Sequence, residues 1–160
     1  MLIRLTRLTN ERHRFEIVRD DHVREAHELE TRSTLLHDLT HYAVEVEAGL
    51  TSSFYGRLAR GIAYDALIPT PSTDQEAPQT EVVVALLQGL LKNDDLAKAD
   101  PERLARNIVA GFSATGADAP VWVTPDLIVR VCERLRRVHG QWRATPFHQA
   151  MELTFPERQS

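Results

Sequence analysis

Residues 1–8 (MLIRLTRL) and 13–18 (HRFEIV) alternate apolar and polar side chains, and this alternation decides the first part of the fold. A period of two places successive side chains on opposite faces of a β-strand. Residues 10–12 (NER) between them are typical of a turn, so the two strands are predicted to form an antiparallel hairpin with one wet face. Residues 24–30 (REAHELE) fit either a third strand or a lead-in to the following helix.

Helical patterns fill most of the chain beyond residue 32, and a short alternating stretch, residues 151–155 (MELTF), closes it. Chain ends are often neighbours, so this stretch is predicted to pair with the N-terminal hairpin. We predict an α+β fold: a small antiparallel sheet formed by the N-terminal hairpin and the C-terminal strand, packed with about five helices. The predicted helices begin after Ser33 or Thr34, after Ser52 or Ser53, after Thr80, after Asp100 and after Thr124, and they end near Gly49, Ile62, Lys92, Ser113 and Gly140.

Length and composition predict a single domain over residues 1–160, with a mobile Pro/Ser/Thr-rich loop at 69–80. The net charge of −4 disfavours a nucleic-acid partner, because phosphate contacts need a basic surface. One cysteine, Cys132, excludes an intrachain disulfide and a four-cysteine zinc site. The N-terminus lacks the apolar run of a signal peptide, and no segment is long enough to span a membrane, so a cytoplasmic location is expected.

The chemistry of the chain is concentrated in residues 37–45 (HDLTHYAVE). His37 and His41 are four residues apart, which places them on one face of a helix, and Glu45 follows one turn later. Imidazole and carboxylate together suit a divalent metal ion, with zinc expected first and iron or nickel as alternatives. The Cα atoms of residues 37 and 45 are roughly 12 Å apart at 1.5 Å rise per residue, so one ion does not readily meet both.

The preferred arrangement has His37 and His41 as metal ligands and takes a third ligand from elsewhere, with His27 or Glu28 as candidates. Glu45 is then a ligand, directly or through water, or a general base. Asp38, with Glu45 a candidate catalytic residue, is expected to orient an imidazole or to bridge. The hypothesis is a small cytoplasmic metal-binding protein, in one version a metal-dependent enzyme with a small-molecule substrate.

A second hypothesis comes from the amphipathicity of the same helix. Its apolar positions fall on the side opposite the histidines, which makes the histidine-bearing face the polar one. That face is then only solvated, and the protein is a non-enzymatic interaction module with a protein partner.

The segment His37-Asp38-Leu39-Thr40-His41 resembles the HDxxH helix of a ubiquinone-biosynthesis family, whose metal-binding motif is HDxxH(x11)E. The resemblance implies a metal-binding helix and covers about a tenth of the chain. Ser53 stands where that family has its glutamate. The segment differs from the HExxH of zincin metalloproteases, since Asp38 replaces the catalytic glutamate. The wider string with its HDxxHxxxE helix, through residues 49–61 (GLTSSFYGRLARG), resembles bacterial proteins of unknown function.

Overall fold

A computed structural model describes residues 1–67, 75–91 and 98–156 of the chain. Its one sheet has four antiparallel strands in the order β3-β2-β1-β4. The N-terminal hairpin forms the middle of the sheet, the C-terminal strand pairs with β1, and the ambiguous residues 24–30 form the edge strand β3, which confirms the predicted α+β class. The strands are β1 Leu2–Arg7, β2 Arg12–Val18, β3 Arg24–Glu30 and β4 Ala150–Thr154.

One face of the sheet is apolar and buried because the register aligns the alternating positions of three strands. Ile3 lies between Ile17 and Leu153, and Leu5 in the same way lies between Phe15 and Met151. All of these side chains are buried. The helices therefore cover this face, while the opposite face carries charged side chains in the alternate positions.

Five α-helices lie in the described part of the chain, all between β3 and β4. A five-residue π-helical turn, Thr31–Leu35, precedes the first, so neither Ser33 nor Thr34 caps it as predicted. Gly49 ends this helix with a left-handed backbone, φ 69°, as predicted. The helices are α1 Leu36–Ala48, α2 Phe54–Ala59, α3 Glu76–Leu91, α4 Pro101–Ala114 and α5 Pro125–Ala144.

Helix α3 begins at Glu76, earlier than the start predicted after Thr80. The Thr80 hydroxyl donates to the Glu76 carbonyl within the helix, so this threonine lies in the second turn and is not a cap. The Glu76 carboxylate accepts a 2.9 Å hydrogen bond from the Thr51 amide, which fixes the helix start. The predicted loop at 69–80 is therefore helical from Glu76 onwards, and residues 69–74 lie outside the described residues.

Helices α2 and α5 also differ from their predicted lengths. Helix α5 continues past Gly140 to Ala144, because Trp142 is buried in the last turn and packs edge-on against the His13 ring. Helix α2 ends before Gly61, which has φ +92°. Within α2, a Cβ on Gly56 would lie 2.3 Å from the Thr51 carbonyl, so only glycine permits this close approach.

Candidate metal centre

His37 and His41 project from the first turns of α1 towards α3, against which α1 packs. The His41 side chain is fully buried and the His37 side chain is 38% exposed. Asp38 and Glu45 are buried as well. The expectation that this face of the helix is solvated is therefore wrong, because neighbouring helices cover the face opposite the apolar stripe too.

The third member of the group is Glu81, on the second turn of α3. Each of His37, His41 and Glu81 offers one possible ligand atom, and these three atoms lie within 4.8 Å of one another. That spacing is compatible with a shared metal ion. Glu81 Oε2 is 3.3 Å from His41 Nε2 and 3.8 Å from His37 Nε2. Each imidazole therefore directs its Nε2 atom at the same carboxylate oxygen, Glu81 Oε2.

The remaining nitrogen of each imidazole faces a different carboxylate. His41 Nδ1 is 3.1 Å from Glu45 Oε1, and His37 Nδ1 is 3.5 Å from Asp38 Oδ1. A carboxylate on Nδ1 favours the tautomer that has its proton there and a free lone pair on Nε2. His41 Nε2 is buried and makes no hydrogen bond, although it lies 3.3 Å from Glu81 Oε2.

Glu45 is held by both of its oxygens. Oε1 contacts His41, and Oε2 accepts hydrogen bonds of 2.8 and 3.1 Å from the amides of Tyr55 and Gly56 at the start of α2. Gly56 can donate in this way because its missing side chain lets α2 approach the preceding loop. Glu45 thus lies behind His41, on the side away from Glu81, and it is not among the residues grouped by ligand spacing.

The electrostatics of the cluster follow from three carboxylates around two imidazoles. The Asp38 carboxylate, which has the largest effect, and the Glu81 carboxylate together raise the pKa of His37 to about 9. Burial lowers the pKa of His41, but Glu45 and Glu81 outweigh it, and the net direction is upward. The two imidazoles hold the pKa of Glu81 well below its usual range. The cluster therefore favours added positive charge, which either protons or a cation can supply.

The alternative ligands suggested by the sequence lie elsewhere. His27, on the edge strand, stacks on the Tyr64 ring at 4.3 Å between centroids. Glu28 is on the opposite face of β3 and pairs with Arg12. Neither belongs to the group that contains His37, among the residues for which positions are described.

Glu81 was missed because the sequence suggests only a buried helix for its segment. Residues 80–91 (TEVVVALLQGLL) contain one charged residue, Glu81. A lone carboxylate on an otherwise apolar helix needs a partner if it faces the protein, and that is the signal that could have identified it.

The chain matches no protein-family model, no curated protein and no solved structure in comparisons with each. Within the described ranges, none of the helices has the length and apolar character needed to cross a membrane.

Proposed function

We propose that this protein binds one divalent metal ion through His37 Nε2, His41 Nε2 and a carboxylate oxygen of Glu81. The observation that carries the proposal is the convergence of both Nε2 atoms on Glu81 Oε2, at 3.3 and 3.8 Å. Ligands about 2.0–2.2 Å from a tetrahedral ion are about 3.4 Å apart, so these separations suit a small ion.

The donor set fits zinc, with iron and nickel as alternatives. Two imidazoles and a carboxylate are borderline ligands, and Glu81 of α3 would supply the third ligand that was expected from outside α1. The buried Nε2 of His41 lacks a hydrogen bond, and a metal ion would satisfy it. The excess of carboxylates over imidazoles further supports a cation at this position.

Asp38 and Glu45 act in this proposal as positioning residues. Each contacts the Nδ1 of one ligand histidine and so leaves Nε2 free for the ion. Glu45 was predicted as a ligand or a general base. The contacts of Glu45 favour the orienting role. Its Oε2 accepts two backbone hydrogen bonds and is therefore poorly placed to take a proton from a substrate. The metal would supply Lewis acidity if the protein is an enzyme.

Metal analysis of tag-free protein tests the proposal. After equilibration with Zn²⁺ and removal of unbound ions, we expect about one zinc per chain. The double variant His37→Ala/His41→Ala should lose it, and Glu81→Gln should bind it much more weakly. The matched controls are His22→Asn and Glu133→Gln, which alter exposed residues outside the cluster. Substoichiometric zinc that is the same in wild type and in the double variant would contradict the proposal.

A further inference from the structure

We infer that the metal ion keeps a coordination position open to solution, and that small anionic oxygen donors such as hydroxamates or carboxylates occupy it. The inference rests on the proposed function and adds the ligand class that the same site takes. Three observations carry it: the number of protein donors, the exposure of the cluster and the charge of the donor set.

The protein supplies three donors, whereas zinc takes four or more ligands. Among the described residues, no other histidine, cysteine or carboxylate joins His37, His41 and Glu81. Glu45 is engaged by His41 and two backbone amides, and Asp38 directs Oδ1 at the Nδ1 of His37 and leaves Oδ2 without a hydrogen bond, but neither carboxylate belongs to the group defined by ligand spacing. At least one ligand of the ion therefore comes from solution. Sites of this kind are typical of catalytic rather than structural metals.

The exposure of the cluster is graded from one side to the other, which indicates where the open position lies. The side chain of His41 is fully buried, that of His37 is 38% exposed and that of Glu81 is 55% exposed. The inner side is closed by α2, whose Phe54 ring lies 5.3 Å from the His41 ring between centroids. A ligand from solution thus enters from the side of Glu81 and His37.

The charge of the donor set selects an anion. Within the coordination shell, two neutral imidazoles and one carboxylate leave a divalent ion with one positive charge, and the Asp38 and Glu45 carboxylates lie one imidazole ring further out. The charges of Asp38 and Glu45 are already directed at imidazole N–H groups and, for Glu45, at backbone amides. Oxygen donors match the borderline character of the site.

The test uses Co²⁺ as the metal, because its visible absorption reports on its ligands, and acetohydroxamate as the probe. We expect acetohydroxamate to change the spectrum of Co²⁺-loaded full-length protein saturably, with one probe per Co²⁺. Neutral acetamide at the same concentration should not. The Glu133→Gln control should respond like wild type. Metal analysis after gel filtration confirms that the Co²⁺ stays on the protein.

The outcomes separate this inference from the proposed function. Bound Co²⁺ whose spectrum does not respond to acetohydroxamate overturns the open position while leaving metal binding intact. A response that coincides with loss of Co²⁺ from the protein also overturns it. If the wild-type protein binds none of the four ions Co²⁺, Zn²⁺, Fe²⁺ and Ni²⁺, the proposed function itself is overturned, and the open position with it.

Discussion

Two fully buried histidines of this protein have opposite surroundings. His41, on α1, faces a carboxylate at each ring nitrogen, Glu45 at 3.1 Å and Glu81 at 3.3 Å. His13, on β2, contacts the Thr31 hydroxyl at 3.2 Å and the edge of the Trp142 ring. Each leaves its Nε2 without a hydrogen bond.

The difference shows that burial alone does not favour a cation beside a histidine. Burial lowers the pKa of His13, and the charge of Asp38 offsets this only in part. The net pKa of His41 moves the other way because two carboxylates stabilise positive charge beside it. His13 is therefore a neutral core residue, whereas the surroundings of His41 favour a cation.

The sharpest test of this contrast is the loss of metal affinity on truncating each histidine. We expect His41→Ala to weaken Zn²⁺ binding on the order of 1,000-fold, beyond the ~10–100-fold typical of outer-shell partners. His13→Ala should leave the affinity within about twofold, the scatter of independent sites. Competition titration against a zinc indicator measures both, with His22→Asn as the control. An equal loss in the two alanine variants would erase the distinction.

Truncation of His13 is expected to affect the stability of the protein and not its metal affinity. Truncating His13 to alanine leaves a cavity beside Trp142 and removes the contact to Thr31. We expect the free energy of unfolding to fall by about 2–4 kcal/mol, as for other large-to-small core substitutions. Urea denaturation of metal-free protein measures it. A change below that of the exposed His22→Asn control would mean that His13 is not a packing residue.

The orienting role of Glu45 predicts an intermediate effect. Glu45→Gln keeps the size of the side chain but removes the charge that favours the proton on His41 Nδ1. We expect Zn²⁺ affinity to fall about 10–100-fold while stoichiometry stays at one. Zinc titration together with urea denaturation separates this from unfolding. Complete loss of binding in a folded Glu45→Gln variant would instead favour Glu45 as a direct ligand.

The smallest expected effect is on the pH dependence of stability in metal-free protein, and its sign differs between the two regions. His37 has a folded pKa of about 9 against an ordinary value of 6.5, so its contribution is fully present below pH 6.5 and disappears as the pH rises to 9. It amounts to about 1 kcal/mol after discounting for solvent screening of this partly exposed group. His13, whose pKa is lowered, costs stability as the pH falls below 6.5.

Urea denaturation from pH 5 to 9 in the presence of a chelator measures both slopes. His37→Gln should flatten the profile above pH 6.5, and His13→Gln should flatten it below. A profile that His37→Gln does not alter would show that the carboxylates around His37 are screened by solvent.

The predictability of this protein differs between its sheet and its site. The hairpin, the closing strand and the N-cap of α4, where the Asp100 carboxylate accepts from the Glu102 and Arg103 amides, follow from local patterns. The start of α3 does not, because the contact of Glu76 with Thr51 joins residues far apart in the chain. Glu81 could not be placed for the same reason.

The sequence by itself determined that two histidines share one face of a helix, since a spacing of four residues is close to one helical turn. It determined the alternation of the strands for an equally local reason. Only the tertiary structure decided that the histidine face is buried and that Glu81 meets it, because both depend on how α3 packs against α1. It also decided that Glu45 turns away to the amides of α2, which long-range packing brings within hydrogen-bonding distance.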